Sequence, residues 1–257
     1  MSCIWQLQII SRGLFMYINN RLGLTESTET MMAQEQRLNQ VTNNLANVDT
    51  PGYKREDLTF WEMLFTANDD RNRVGKALKL LTNHEEGSVA ATGNPLDFVI
   101  NGNGFFSVQT PEGVRYTRAG SFNLNSEGQL MTPSGHLVLG EGGPITIQGN
   151  DVSLSSDGGL LVDGRDAGRL AIVTFSDFAG LEKEGLNLFR LTEEGQELAA
   201  DNFTVKQGFV EKSNVNTVME MTGMIDLHRA YETQQKLIRT IDEMDDEAIR
   251  KVGKLTA

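Results

Sequence analysis

The chain has 257 residues, 39% hydrophobic and 23% charged, with 26 glycines against 5 prolines, a composition that excludes a disordered chain and points to a globular protein rich in tight turns. Its formal charge of -12 opposes a phosphate backbone, and no basic stripe with interleaved aromatics offsets it, which excludes nucleic acid as a partner. The single cysteine, Cys3, excludes an internal disulfide and a cysteine metal cluster.

The opening stretch from Met1 to Phe15 is apolar in patches, but it lacks a basic start and Arg12 interrupts it, so no cleaved signal peptide is expected. The patterned sequence begins just after Met16, which makes Met16 an alternative start. No stretch approaches the roughly 20 apolar residues of a membrane span, so no membrane insertion is expected.

From Leu24 to Val48 there is no glycine or proline, and Leu24, Met31, Leu38 and Leu45 recur every seventh residue. Ser27, Gln34, Val41 and Val48 lie three residues further on in each repeat. This is an a/d seam whose second row is half polar, the mark of a helix that needs a partner and offers it a narrow stripe. Thr50-Pro51-Gly52 ends it, because proline disfavours helix in the preceding residue and glycine supports a turn. The stretch from Arg55 to Glu86 reads as a connector, with Phe60, Trp61, Met63, Leu64 and Phe65 forming a short packed helix.

Beyond the connector the grammar changes to short apolar runs bounded by glycine or asparagine, such as Phe98-Val99-Ile100, Phe105-Phe106-Ser107-Val108 and Leu170-Ala171-Ile172-Val173. These predict strands. Acidic-glycine pairs at Glu112-Gly113, Glu127-Gly128, Asp157-Gly158 and Glu194-Gly195 predict hairpin turns, since glycine takes the positive φ such turns need.

The C-terminal stretch mirrors the first helix. Met224, Tyr231, Ile238 and Val252 share one heptad position and Leu227, Ile241, Ala248 and Leu255 another, with Gln234 and Asp245 as interruptions. Thr217 and Glu220 fit a capping box at its start. The expected fold is therefore α+β: N- and C-terminal helices paired as an antiparallel coiled-coil-like domain, around a central, mainly antiparallel β domain. The boundaries are 16–52 for the first helix, 53–86 for the connector, 87–207 for the β domain and 208–257 for the last helix. Neither helix is stable alone in water, and even paired they leave apolar surface for neighbouring copies, the basis of an open helical assembly.

Other candidate sites dissolve on inspection. His84, His136 and His228 are too scattered for zinc. Asn101-Gly102-Asn103-Gly104 lacks the lysine-serine ending of a phosphate loop and reads as a turn between strands. Asn123, Asn125, Glu127 and Gly128 echo a calcium loop, but Ser134 stands where its last glutamate belongs. Asp242, Glu243, Asp245, Asp246 and Glu247 lie on a terminal helix as solvated surface. Ser88, Ser107 and Ser121 have no nucleophile-elbow context. No catalytic residue, cofactor, metal or small-molecule substrate is expected.

The run from Leu38 to Lys54, LNQVTNNLANVDTPGYK, resembles the N-terminal signature of flagellar rod and hook proteins. The resemblance continues through Gly93-Asn94-Pro95-Leu96-Asp97-Phe98, Gly102-Asn103-Gly104-Phe105-Phe106 and Tyr116-Thr117-Arg118-Ala119-Gly120-Ser121-Phe122. It closes with Ser213-Asn214-Val215-Asn216 and the run from Met224 to Glu232, so both ends and the middle match in family order. Within the family, the run from Ser134 to Ile145 and Gly168-Arg169-Leu170 resemble the proximal rod protein more than the distal one. The residues before Met16 and the polar Ser27-Thr28-Glu29-Thr30 depart from the pattern.

The resemblance implies a non-enzymatic subunit of the basal-body rod, transmitting torque across the periplasm after export through the flagellar type III apparatus without signal cleavage. It also implies association with itself and with other axial rod subunits, and terminal helices that order on assembly. The expected assembly interface comprises the seam residues Leu38, Val41, Leu45, Val48, Met224, Leu227, Tyr231, Ile238 and Ile241, together with Asn43, Asn44, Asn47, Asn214 and Asn216 of the signature runs. The alternatives are a distal rod or hook subunit and, in another class, a wall-binding module or glycan hydrolase with a helical oligomeriser, which would need two carboxylates converging in a cleft.

Overall fold

The computed structural model describes residues 27–66, 72–149, 151–193 and 195–255. Leu24, the region around Met16 and Glu194 of the fourth predicted turn lie outside them, as do the side chains of the seam residues Ala248, Val252 and Leu255. The chain forms two compact units. One holds 27–43, Leu58–Lys79 and the chain from Val218 onward; the other holds Asn44–Asp57 and Leu80–Thr217.

In the first unit, helix α1 covers 27–46 and helix α2 covers Thr217–Leu255, 39 residues. At 1.5 Å per residue α2 is about 58 Å long. The predicted seams are visible in the burial along each helix. On α1, Ser27 and Val41 are buried and Met31, Gln34, Leu38 and Leu45 half-buried, while the residues between them are mostly exposed. On α2, the half-buried positions include Met224, Leu227, Tyr231, Gln234, Ile238, Ile241 and Asp245, which is one a/d stripe with its two polar interruptions. None of these α2 positions is fully buried.

The connector differs from expectation. Phe60, Trp61, Met63, Leu64 and Phe65 lie in a strand, Glu56–Thr66, paired with Asn72–Thr82 as a two-stranded ribbon. The apolar cluster is embedded in Thr59, Phe60, Trp61, Phe65 and Thr66, β-branched and aromatic residues that favour an extended backbone once a second strand is available.

In the second unit every described strand pair is antiparallel. A ten-stranded sheet runs in the order Leu181–Glu184, Leu188–Leu191, Gly113–Thr117, Phe105–Thr110, Leu137–Gly140, Leu130–Met131, Asn123–Leu124, with Ile172–Phe175 also paired to Phe105–Thr110. A three-stranded sheet comprises Val152–Leu154, Gly159–Val162 and Arg165–Arg169. The predicted turn glycines Gly113, Gly128 and Gly158 all have positive φ. Two further pairs join the domain's beginning to its end: Val89–Ala91 with Phe209–Glu211, and Phe98–Gly102 with Phe203–Gln207. The chain therefore enters and leaves the domain at the same place.

Successive residues of a strand face opposite sides, and the central strand Phe105–Thr110 uses both. Phe106 and Val108 belong to a large core with Phe98, Phe122, Leu130, Val138, Leu160 and Leu170, whereas Phe105 belongs to a smaller one with Tyr116, Phe175 and Phe189. Phe106 packs edge-on against Phe122 with ring centroids 5.2 Å apart. Replacing Phe106 by alanine should destabilise the domain by about 3–5 kcal/mol, measured by denaturant unfolding followed through near-ultraviolet circular dichroism, because the cavity lies where neighbouring strands cannot collapse into it.

Candidate assembly site

α1 stops where the sequence predicts. Turn hydrogen bonds from Asn47 N–H to Asn44 O (3.1 Å) and from Thr50 N–H to Asn47 O (3.2 Å) close its last turns, and Gly52 follows at φ +67°. A Cβ on Gly52 would lie 2.2 Å from the backbone nitrogen of Ala119, so only glycine lets the chain pass this close to the β domain. Gly52 N–H donates to Glu211 O at 2.8 Å, fixing the passage beside the domain's exit strand.

The next two residues are buried polar anchors. Tyr53 is 2% exposed and its hydroxyl donates to Asn44 Oδ1 at 3.2 Å. Asn44, wholly buried, also accepts from Glu56 N–H (3.1 Å) and donates to Glu56 O (2.9 Å), so its carboxamide spans the turn from α1 into the ribbon. Lys54 is 0% exposed, and its ammonium donates to Glu211 Oε1 and to Glu85 O, each at 2.6 Å. The Glu211 carboxylate, 3% exposed, accepts Gly87 N–H at 2.9 Å and lies 3.5 Å from Arg118 Nε. Arg118 in turn donates to Gly102 O (2.7 Å) and approaches Glu86 (3.4 Å). Lys183 completes the cluster, 3.7 Å from the Tyr53 ring centroid, 3.3 Å from Glu56 and donating to Lys54 O at 3.0 Å.

Asn214, just before α2, closes the same structure from the other side. Its Oδ1 accepts Arg55 N–H at 2.7 Å, its amide donates to Asn83 O and Glu85 O, and its N–H donates to Tyr53 O. The result is a clasp in which the end of α1, the base of the ribbon and the start of α2 are held by one network of buried charges and amides.

Burial governs the ionisation here. It holds the Lys54 ammonium below the ordinary lysine range even though the Glu211 charge opposes the shift, and it lowers Lys183 likewise. His84 stacks on Phe178 with centroids 5.0 Å apart, beside Phe105 and Phe189. Burial, reinforced by the positive charges of Lys54, Arg118 and Lys183, lowers its pKa from 6.5 to about 4.

Of the expected interface residues, Asn44 and Asn214 are engaged in the clasp, Asn47 is buried and accepts from the Thr50 hydroxyl (3.1 Å), and Asn43 and Asn216 are exposed. Leu38, Leu45, Val48, Met224, Leu227, Tyr231, Ile238 and Ile241 are half-buried and Val41 buried, all on the seams. α2 also carries a second, outward apolar set at its root: Val218, Met219, Met221 and Ile225, all more than half exposed. Sequence reading missed Glu211, Glu56 and Lys183. The Glu211 partner lies 157 residues away, so no local spacing marks it. Among the described residues no group of side chains is arranged to hold a metal ion.

Three segments match known families. Residues 26–54 match the flagella basal body rod protein family, 99–162 the flagellar hook protein FlgE/F/G D1 domain, and 206–251 the flagellar basal body rod FlgEFG protein C-terminal domain. The chain is 33% identical to the flagellar basal-body rod protein FlgF of Mesorhizobium japonicum, covering 90% of this chain and 98% of that one. The chain belongs to the flagellar basal-body rod family. It is also 33% identical to the rod protein FlgG of Bacillus subtilis over 83% of this chain and 92% of that one, and 34% identical to FlgF of Caulobacter vibrioides over 87% and 95%. It is accordingly a structural rod subunit of the flagellar basal body, associating with other axial subunits. The first and last matched segments meet in the clasp, since 26–54 contributes Asn44, Tyr53 and Lys54 and 206–251 contributes Glu211 and Asn214.

Two predictions follow from this geometry. Lys54→Met alone should cost about 3–5 kcal/mol by leaving Glu211 buried and short of a cation, and adding Glu211→Leu should recover much of it; paired thermal and denaturant melts of the three chains decide. For His84, the unfolded chain binds a proton between pH 6.5 and about 4 while the folded chain does not, so stability falls on acidification through that window. His84→Phe, which keeps the ring stack, should flatten that part of the profile of unfolding midpoint against pH.

Proposed function

We propose that this rod subunit polymerises through α1 and α2 paired as an antiparallel coiled-coil-like stalk, and that it stands in the proximal part of the rod. The observation that carries the reading is that the heptad positions from Met31 to Leu45 and from Met224 to Asp245 are buried or half-buried while most residues between them are exposed, in a chain whose two helix roots are tied by one clasp. Two helices that leave the same knot, one inward and one outward along the chain, are poised to run antiparallel. The polar seam positions Ser27, Gln34, Gln234 and Asp245 limit the strength of the pair and favour one register. The exposed set at the root of α2 then supplies apolar surface for the next subunit.

Such a polymer transmits torque along the rod, and the clasp, with charges that are costly to separate, fixes the chain where α1 ends and α2 begins. The proximal position is supported by the run from Ser134 to Ile145 and by the fuller match to FlgF relatives, up to 98% of their length, than to FlgG relatives, up to 93% among those compared. The reading includes export by the flagellar type III apparatus without signal cleavage, a location in the periplasm-crossing rod, self-association, and the absence of catalysis. The interface comprises the seam residues, with Asn43 and Asn216 at its base.

Deleting Val218–Ala257 should abolish incorporation into isolated basal bodies and motility while the β domain retains its cooperative melt. Normal motility from that truncated chain would remove the reading. The single changes Leu227→Asp and Ile238→Asp should impair incorporation in the same direction, without shifting the melt of the β domain.

A further inference from the structure

Two uncovered features remain after the helices and the clasp are assigned. The first is the ribbon. Among the described strands, Glu56–Thr66 and Asn72–Thr82 pair only with each other, so each eleven-residue strand keeps one edge without a strand partner. A two-stranded ribbon is marginal by itself, and a long bare edge invites another chain. Its charges are segregated. The first strand carries Glu56, Asp57 and Glu62 and no base; the second carries Arg73, Lys76 and Lys79 and no acid, and ends in the exposed Leu80 (53%) and Leu81 (41%).

The second feature is a groove of about 410 Å³ in the β domain. Its floor includes Ile172, Val173, Ala200 and Phe203, and its rim carries Glu141, Asp157 and Glu197 against one base, Arg169. Arg169 is engaged by Asp157 at 2.6 Å, and the Glu197 carboxylate accepts the Tyr116 hydroxyl at 2.7 Å. Along one side runs Glu197–Ala199, exposed at all three residues, with Leu198 47% exposed. Among the described strands it pairs with Ile172–Phe175 alone.

We infer that the groove beside Glu197–Ala199 receives the basic strand Asn72–Thr82 of a second copy. The fit is chemical on three counts. An acid-rimmed site of net negative charge meets the most basic of the described strands; an apolar floor with Leu198 meets a strand ending in Leu80 and Leu81; and a strand paired on one side meets a ribbon edge without a partner among the described strands. No other described strand carries more than two bases, and the one that does carry two, Arg165–Arg169, also holds Asp166. The contact is heterologous, groove to ribbon, the kind that builds an open helical assembly when its rotation does not close a ring. The inference rests on the rod reading for the occurrence of neighbouring copies, and it adds a lateral contact independent of the helices.

The test uses two full-length chains, both Cys3→Ser, co-produced in flagellated cells lacking their own copy. One carries Lys79→Cys and the other Leu198→Cys, so any disulfide between them joins two copies. In isolated basal bodies oxidised mildly, the linked heterodimer should exceed that from a control mixture of Leu124→Cys and Leu186→Cys chains, both also exposed, by about tenfold. Glu141→Lys with Glu197→Lys in the groove chain should reduce linkage about tenfold, and Arg73→Glu with Lys76→Glu in the ribbon chain should restore it. Both chains present in the basal body with linkage no greater than the control, or charge reversal without restoration, overturns the inference and leaves the helix-driven rod reading standing. Absence of the parent chain from the basal body overturns both.

Discussion

The buried pair of Lys54 and Glu211 anchors the N-terminal segment to the β domain. It joins residues 157 apart in sequence, at 2.6 Å and with almost no exposure on either side chain. Desolvating two charges is costly, and the site offsets that cost by saturating both with further partners: Glu85 O on the ammonium, and Gly87 N–H and Arg118 on the carboxylate. Such a network tolerates one geometry. It therefore specifies where the N-terminal segment crosses the β domain more sharply than apolar packing would, since apolar contacts allow sliding.

The consequence is that a short N-terminal segment belongs physically to a domain whose other residues begin far along the chain. Asn44–Asp57 and Leu80–Thr217 form one unit, with the passage of Gly52 against Ala119 and the amides of Asn44 and Asn214 making the seal. The strand pairs that bring the domain's exit beside its entry, Val89–Ala91 with Phe209–Glu211 above all, deliver Glu211 to Lys54. A β domain whose entry and exit coincide brings the end of α1 and the start of α2 to one place. The division of labour is between apolar stripes along the helices and a polar lock where α1 ends and α2 begins.

Charge is distributed in keeping with that division. The molecule is acidic overall, yet the second strand of the ribbon carries three bases and no acid, and the clasp buries Lys54, Arg118 and Lys183. Acids and bases inside the clasp neutralise one another, whereas the ribbon's bases and the groove's acids are complementary surfaces on separate elements. Buried charges set internal geometry, while rim charges set the choice and orientation of neighbours and lose strength with salt.

The residue pattern alone was enough to place the two helical seams, the end of α1 at Thr50-Pro51-Gly52, the antiparallel β domain with its turn glycines, and the rod family. These are local properties: heptad spacing, proline and glycine sterics, alternation, and motifs read as continuous runs. It misread Phe60 to Phe65 as helical, because an apolar cluster of that length fits either backbone and only the pairing with Asn72–Thr82 decides between them. It quoted Tyr53, Lys54 and Arg118 as parts of motifs without their purpose, assigned Asn44 and Asn214 to an interface, and passed over Glu211, Glu56 and Lys183. Tertiary structure alone assembled these into a clasp, because a buried ion pair is defined by desolvation and distance in space, and neither leaves a period in the sequence.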